Sequence, residues 1–535
     1  MDARHPQPAK EQMNHPPRFD LFAQVESNPL MQGILPLDDI VSWGSRLDYD
    51  PRIEWRGRVL NASQESIAIN QIDRVFTSTT MTAAICWGLH LLLFQSLIDQ
   101  DPRLAENRKR IYKCAAHRGR DIETFPWFPG GASGAMIKGI TRVGKTKVVE
   151  RFTHYFTQVI VRPENEEYGW KELKQLVFLV VPMPADHSRH GFLLEAFKAI
   201  DAALGTKYAA QFAGARVPVE VQIVHLLCCL VVHRCGIVFI EEAQGSSLNG
   251  TFGGVYINFF LRLLNVGIPL VIIGNPLAFE PIDSHGQNVS RLSAGGSFNL
   301  DPAPSWTSSV WLDDVMPSVW GWNIYDERDS EIPELELDGA RVELSQYIWH
   351  RTGGVSGYAV RLRKATLFVL KQKGGGAVTQ ADIEKAYQSP TMVAVHDIIE
   401  ALTTKDASLL ANCSDMPVAY FRSLWEAERA AAERAHALKR AAEEERLRVG
   451  RKKKEDALAA NAAASQVGPA AVEGEPEVNE SLEAADATQC TSSPAASSQA
   501  QPPPTTPPAV FADEDFRSSA SRARNQALLE LRRQG

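Results

Sequence analysis

Residues 139–146 read Gly139-Ile140-Thr141-Arg142-Val143-Gly144-Lys145-Thr146, a complete G-x-x-x-x-G-K-[ST] loop. Backbone N–H groups of such a loop cradle the α- and β-phosphates of a nucleotide, a lysine reaches the β- and γ-phosphates, and a hydroxyl ligates Mg²⁺. Lys145 and Thr146 stand at the lysine and hydroxyl positions. Ala135-Met136-Ile137-Lys138 before the loop predicts a short strand. Lys147 to Phe152 after it predicts a helix whose N-terminus faces the anion. Taken alone, the loop also reads as a glycine-containing turn with a solvated lysine.

A second stretch argues against that reading. Gly236-Ile237-Val238-Phe239-Ile240-Glu241-Glu242-Ala243-Gln244 is an apolar strand ending in two carboxylates, the pattern of a Walker B element. Its first acid, Glu241, is assigned to Mg²⁺ and its second, Glu242, to polarising the attacking water. An aspartate is usual at the first position. The extra methylene of Glu241 pushes the carboxylate towards the metal, which points to relaxed geometry or slow turnover. A third apolar run, Ile268 to Gly274, ends at Asn275-Pro276. Asn275 falls where AAA+ ATPases place the sensor-1 polar residue, suited to orienting the lytic water. Asn-Pro is also a turn signal in its own right.

The chain has 535 residues, 44% of them hydrophobic, and a net charge of −8. This length accommodates more than one domain. No global basic footprint is present, so contact with DNA would need a local stripe. Residues 467–535 carry 5 Lys/Arg against 10 Asp/Glu. Seven cysteines, an odd number in a large chain, suggest reduced thiols and a cytoplasmic setting. Met1-Asp2-Ala3-Arg4-His5-Pro6 lacks the apolar core of a signal peptide. No membrane partner is expected, because no apolar stretch reaches bilayer length. The nearest, Ile223 to Ile240, is broken by His225, His233 and Arg234. His225, Cys228, Cys229, His233 and Cys235 form a cluster that could be a zinc site or the buried face of a helix feeding the Walker B strand.

The expected fold is α/β: a P-loop ATPase core with a parallel sheet, a helical lid, an N-terminal extension and a disordered C-terminal tail. Residues 1–20 read as disordered and 21–118 as an N-terminal domain or arm. The ATPase core spans 119–333, with Leu176 to Val181 as a strand and Phe192 to Leu204 as a helix. The lid spans 334–415, with helices at Ala340–Arg351, Gly357–Lys373 and Thr379–Tyr387. Residues 416–458 hold a charged, solvated helix over Trp425–Leu458 with a basic run Arg451 to Lys454. Residues 459–512 read as a disordered linker and 513–535 as a terminal helical peptide.

Several stretches beyond the ATPase motifs carry a family resemblance. They are Asn28-Pro-Leu-Met-Gln-Gly-Ile-Leu-Pro-Leu37, Ala196 to Gly205, Phe259 to Gly274, Arg351-Thr-Gly-Gly-Val-Ser-Gly357 and Val378 to Thr391. Over about residues 28–400 the chain resembles TnsC/TniB, the AAA+ ATPase regulators of bacterial DNA transposition. The resemblance implies ATP and Mg²⁺ as cofactors and assembly as a homo-oligomeric ring or filament on double-stranded DNA, gripped by its backbone without regard to sequence. It implies partners too, namely transposase subunits and a separate target-selector protein, and hydrolysis that dismantles the assembly. It places Arg189 and Lys207 as candidate DNA-phosphate contacts and Arg291 as a candidate finger acting on a neighbour's γ-phosphate. The chain departs from the family at Glu241 and at Arg142, where a glycine or serine is common. The resemblance also implies that tails of this kind reach the transposition machinery, so Ala527, Leu528, Leu529 and Leu531 read either as a docking element for a transposase subunit or as a frayed terminus with a few leucines. Two other functions fit the ATPase motifs: a motor or loader of DNA metabolism, and a nucleotide-switched signalling scaffold that never touches DNA.

Overall fold

In the computed structural model, residues 25–464 are described except for 56–57, 118–121, 129, 185–187, 215, 244–252, 322–323 and 325–334. The expectations for residues 1–20 and for the chain beyond 464, including the terminal peptide, lie outside the described residues.

Strand β1 (Gly134–Gly139) leads into the phosphate loop and is buried at every position. A central parallel strand must be apolar on both faces, because helices cover each side of its sheet. A small antiparallel pair follows, β2 (Val159–Arg162) and β3 (Leu173–Leu176). The remaining core strands are β4 (Phe178–Pro182), β5 (Ile237–Ala243), β6 (Leu270–Gly274) and β7 (Ser297–Leu300). The main sheet runs β4-β5-β6-β1-β7, all parallel. The phosphate-loop strand is therefore separated from the acidic strand β5 by β6, the strand that ends at Asn275. This is an α/β P-loop core built on a parallel sheet.

Alternate residues of the strands feed two separate cores, as the two-residue period of a strand dictates. Ala135, Ile137, Ile237, Phe239, Val271 and Ile273 face one layer. That layer contains α1 (Ile40–Leu47), α3 (Thr80–Asp99) and α4 (Lys145–Thr153); α2 (Ala62–Gln71) precedes α3 in the chain. Met136, Val238, Ile240, Leu270 and Ile272 face the other layer. There stand α5 (Arg189–Leu204), α6 (Val219–Val232), α7 (Gly253–Asn265) and the end of α8 (Gly286–Leu292). Each fully buried Leu, Ile or Phe in these layers contributes on the order of 2 kcal/mol.

Helix α3 corrects one expectation. It has 20 residues, a mean hydropathy of 1.6 in its most apolar window, and is long and apolar enough to cross a bilayer. The sequence instead offers Ile223 to Ile240 as its nearest approach to bilayer length. Here Ile85, Leu89, Leu93 and Leu97 are buried in the core beside the sheet. A capping box between Thr79 and Thr82 starts the helix. His90 locks it to α1: the Trp43 indole donates to Nδ1 at 3.2 Å, and Nε2 lies 3.1 Å from the Leu35 carbonyl. Burial lowers the His90 pKa to about 4, so the ring is neutral and Nε2 carries the proton.

Two elements differ from their sequence reading. The run Leu176 to Val181 is not one strand, because Leu176 ends the antiparallel pair and Phe178 starts β4. Ala340–Arg351 is not one helix either. Ala340–Val342 (β9) pairs with Leu335–Leu337 (β8), and helix α9 covers only Leu344–His350. The rest of the lid follows the pattern: α10 (Ser356–Lys373) ends at Gly374, whose φ is +90°, and α11 (Gln380–Tyr387) starts at the Thr379 cap. Arg351 joins the lid helices by pairing with Glu384 at 2.6 Å.

Helix α12 (Val418–Ala464) extends the predicted charged helix at both ends. The chain divides into two units, the first ending at Phe421 and the second starting at Arg422. In the second unit, residues 429–458 are exposed throughout. Arg448 pairs with Glu445 at 3.0 Å, three residues away. Such exposed pairs contribute a few tenths of a kcal/mol, roughly.

Candidate nucleotide site

The loop between β1 and α4 turns through two left-handed residues, Arg142 at φ +73° and Gly144 at φ +105°. Gly144 is required there, since L side chains rarely adopt that backbone. Arg142 bears a cost of about 1 kcal/mol that a glycine would not. Lys145, first in α4, donates from Nζ to the carbonyls of Gly139 at 2.8 Å and Ile140 at 2.7 Å. Burial lowers its pKa to about 8. Thr146, in the first turn of α4, is exposed.

Register brings the three predicted strand ends together. Gly274 pairs with Lys138 on one side and with Ala243 on the other. The loop, Glu241–Glu242 and Asn275 therefore share the C-terminal edge of the sheet, where open parallel sheets hold ligands. On β5 the register slips by one residue between Ile240 and Ala243, which face Ile272 and Gly274. Glu242 sits in this bulge with φ +61° and is exposed. Bulges of this kind re-aim a side chain and recur beside active sites.

Glu241 is half-buried, and its carboxyl pKa is raised first by burial, then by the charges of Glu150 and Glu242. Glu150 lies four residues after Thr146, on the same face of α4. Carboxylate and hydroxyl oxygens are the donors a hard divalent cation takes. Among the described residues no cluster of three or more His, Cys, Asp or Glu could hold a metal by itself. The donor set fits Mg²⁺ shared with phosphate oxygens and water, with Thr146 and Glu241 as the protein's contribution.

Asn275 is committed at both ends of its amide. Its Oδ1 accepts from Leu277 N at 3.0 Å and caps the turn at Pro276, as an Asn-Pro turn does. Its Nδ2 donates to the Asp415 carbonyl at 2.7 Å. Arg291, on α8, donates from Nη2 to Asn265 Oδ1 at 2.6 Å. Leu292 next to it packs on Gly134, the start of β1, so Arg291 stands at the end of the sheet away from its own loop. Arg189, first in α5, pairs with Glu220 at 3.1 Å, and the same carboxylate accepts from Arg262 at 2.9 Å. Lys207 is exposed at the start of the short helix Tyr208–Phe212.

The histidine–cysteine cluster is occupied by packing. His233 shares hydrogen bonds with Tyr208 and the Lys174 carbonyl, and His225 stacks on Phe212. Cys228 donates to the Cys114 carbonyl at 3.1 Å, and burial pushes the Cys229 and Cys235 thiols up to about 12. These are core side chains of α6 and the turn after it, which is the helix reading of the cluster.

Two contacts had no sequence signal. Gly357 N, in the first turn of α10, donates to the Arg142 carbonyl at 3.1 Å. A Cβ at Gly357 would lie 2.5 Å from that oxygen, so only glycine lets the lid approach the loop. Beneath the loop, the buried Lys138 pairs with Asp283 at 2.7 Å. A glycine at a helix start and a lysine in a strand are both too common to be read in advance.

No protein-family model and no curated protein matches the chain. Among solved structures, similarity is found to the Aeropyrum pernix ORC2 protein in ADPNP–ADP complexes, at 10% identity and a TM-score of 0.32, covering 54% of this chain and 67% of that one. The Aeropyrum pernix ORC1 protein in complex with DNA matches at 15% identity and a TM-score of 0.31, covering 53% and 67%. The Thermotoga maritima RuvB Holliday junction branch migration motor matches at 13% identity and a TM-score of 0.27, covering 58% and 75%. Scores this low carry no inference about role. The fold stands on the chain's own strand order and phosphate loop.

Proposed function

We propose that the chain binds and hydrolyses ATP and uses that cycle to assemble on double-stranded DNA as a regulator of transposition. The observation that carries the ATPase part is the convergence, at one sheet edge, of the lysine-bearing loop, Thr146 and the bulged Glu241–Glu242 pair. Bound Mg²⁺ would supply charge neutralisation at the β- and γ-phosphates. Lys145 exchanges its two loop carbonyls for phosphate oxygens. Glu242 accepts a proton from the attacking water, and the strained backbone of the bulge fixes where it does so. Gly357 couples the loop to the lid, so closure on nucleotide moves α10 with it.

The transposition part rests on the sequence resemblance over residues 28–400. In that reading the oligomer tracks the DNA backbone through sequence-independent contacts, with Arg189 and Lys207 as candidates. Arg291 reaches a neighbouring subunit's nucleotide after leaving Asn265. The terminal peptide captures a transposase subunit, and a target selector chooses the site. Electron microscopy with duplex DNA, with and without ATP, tests the whole reading. ATP-dependent rings or filaments on DNA, lost in Lys145→Ala, are expected. Vigorous turnover without stable assembly would favour a motor or loader. Nucleotide binding with no DNA-stimulated assembly would favour a signalling scaffold.

A further inference from the structure

Residues 413–421, the end of the lid region and the first turn of α12, lie against the same sheet edge as the nucleotide site. Its Asp415 carbonyl accepts the Asn275 amide at 2.7 Å. Five residues later, the Tyr420 hydroxyl donates to both carboxylate oxygens of Asp301 at 2.8 Å each. Asp301 directly follows Leu300, the β7 residue in register with Gly139 at the start of the phosphate loop. The segment is thus fastened at the ends of two strands, β6 and β7, which flank β1 on either side. Met416, Pro417 and Phe421 are buried and hold it down. Tyr358, in the first turn of α10, is within electrostatic range of Asp415, Cys413 and Arg142, so the segment also neighbours the junction of lid and loop.

A side-chain amide reaches a γ-phosphate oxygen through an N–H directed at it, and a lytic water through an N–H or its oxygen. Asn275 has its oxygen engaged by the Leu277 N–H and one of its two N–H donors held by the Asp415 carbonyl, which together fix the plane and direction of the amide. We propose that residues 413–421 are an autoinhibitory strap, which engages Asn275 and holds ATP hydrolysis back while leaving nucleotide binding open. The inference rests on reading the loop and Glu241–Glu242 as an ATPase site. Release of the strap frees that N–H and lets the amide re-aim.

The Asp415 carbonyl belongs to the backbone, so the test loosens the strap at its fastenings. Tyr420→Phe removes the bond to Asp301, and Met416→Ser removes a buried anchor. Losing one ordinary hydrogen bond shifts such an equilibrium about fivefold. In full-length protein, Tyr420→Phe should therefore raise kcat for ATP about fivefold with ATP affinity unchanged. Met416→Ser, checked for a native melting profile, should do the same. Backbone amides of 413–421 should exchange faster with solvent in both variants. The gain should vanish when Tyr420→Phe is combined with Asn275→Ala, whose own kcat is the reference. Normal ATP binding with an unchanged or lower kcat in both folded variants would overturn the strap alone. A gain that persists undiminished without Asn275 would overturn it as well. Failure of the wild type to bind ATP would overturn the site reading, and the strap with it.

Discussion

Raising the pH should loosen ATP binding through Lys145. Its ammonium rests on two carbonyl oxygens, with burial lowering its pKa to about 8 from an ordinary value of 10.5. Phosphate oxygens favour the charged form, so in the complex the pKa returns at least to its ordinary range. The sign follows. The nucleotide binds the protonated lysine, so affinity is full below about pH 8 and falls close to tenfold per unit above it, until the complex itself titrates. Between pH 7 and about 9.5 the loss should be about 30-fold, roughly 2 kcal/mol. Stability of the free protein should move the other way. The unfolded chain holds this proton between pH 8 and 10.5 while the folded chain does not, so folding strengthens across that window by roughly 3 kcal/mol. Equilibrium titration with a fluorescent ATP analogue at constant Mg²⁺ and salt reads the first effect, and thermal melting without nucleotide reads the second. Lys145→Arg provides the control, since guanidinium does not titrate in this range. Its affinity, whatever its level, should be flat with pH. A flat wild-type profile, or the same slope in Lys145→Arg, would refute the argument that buried Lys145 is the titrating group.

Gly357→Ala should cost about 2 kcal/mol of stability, because the new Cβ meets a main-chain oxygen that cannot move aside. It should weaken ATP binding several-fold by lifting the lid, and unchanged melting and binding would mean that lid and loop do not touch in solution. Glu242→Gly should raise the melting temperature, since glycine accepts φ +61° without the roughly 1 kcal/mol cost, while hydrolysis is lost. Glu242→Gln should keep ATP binding and lengthen the life of any DNA-bound oligomer; normal turnover in either variant would move the catalytic role elsewhere. His90 titrates near 4 when folded and near 6.5 when unfolded, so stability should fall by about 3 kcal/mol as pH drops through that window, and His90→Gln should flatten the acid limb. Arg291→Ala mixed with Lys145→Ala should regain activity if Arg291 acts across a subunit boundary. No rescue, with both proteins folded, would leave Arg291 as the partner of Asn265 and nothing more.

The core of this fold was legible because its signals are local. The phosphate loop is an eight-residue pattern, the strands that flank it are apolar runs, and Gly374 marks the end of α10 as a helix-ending glycine should. Register then carried Glu241, Glu242 and Asn275 to one edge with no further information needed. What stayed hidden depended on tertiary partners. Leu176 to Val181 reads as one strand because β-propensity is continuous there; the break at Val177 exists only because Leu176 pairs with Val159 and Phe178 with Ile237. Ala340–Val342 became a strand because Leu335–Leu337 lay across from it, an effect that outweighs helix propensity over three residues.

Asn275 shows the same limit at the site itself. Its sequence offers two roles, turn former and water-orienting amide, and the structure realises the first with its oxygen while holding its nitrogen on Asp415, 140 residues away. The two roles use different atoms of one group. A cap made through Oδ1 fixes the amide plane and so aims Nδ2, while the strap takes up one of its two N–H groups. Turn geometry thus prepares the residue for chemistry, and access to that chemistry depends on a distant segment. The comparison of Tyr420→Phe with and without Asn275→Ala measures that dependence directly. If the two changes act on kcat independently, the cap is all that Asn275 contributes, and the lytic water must be oriented by Glu242 alone.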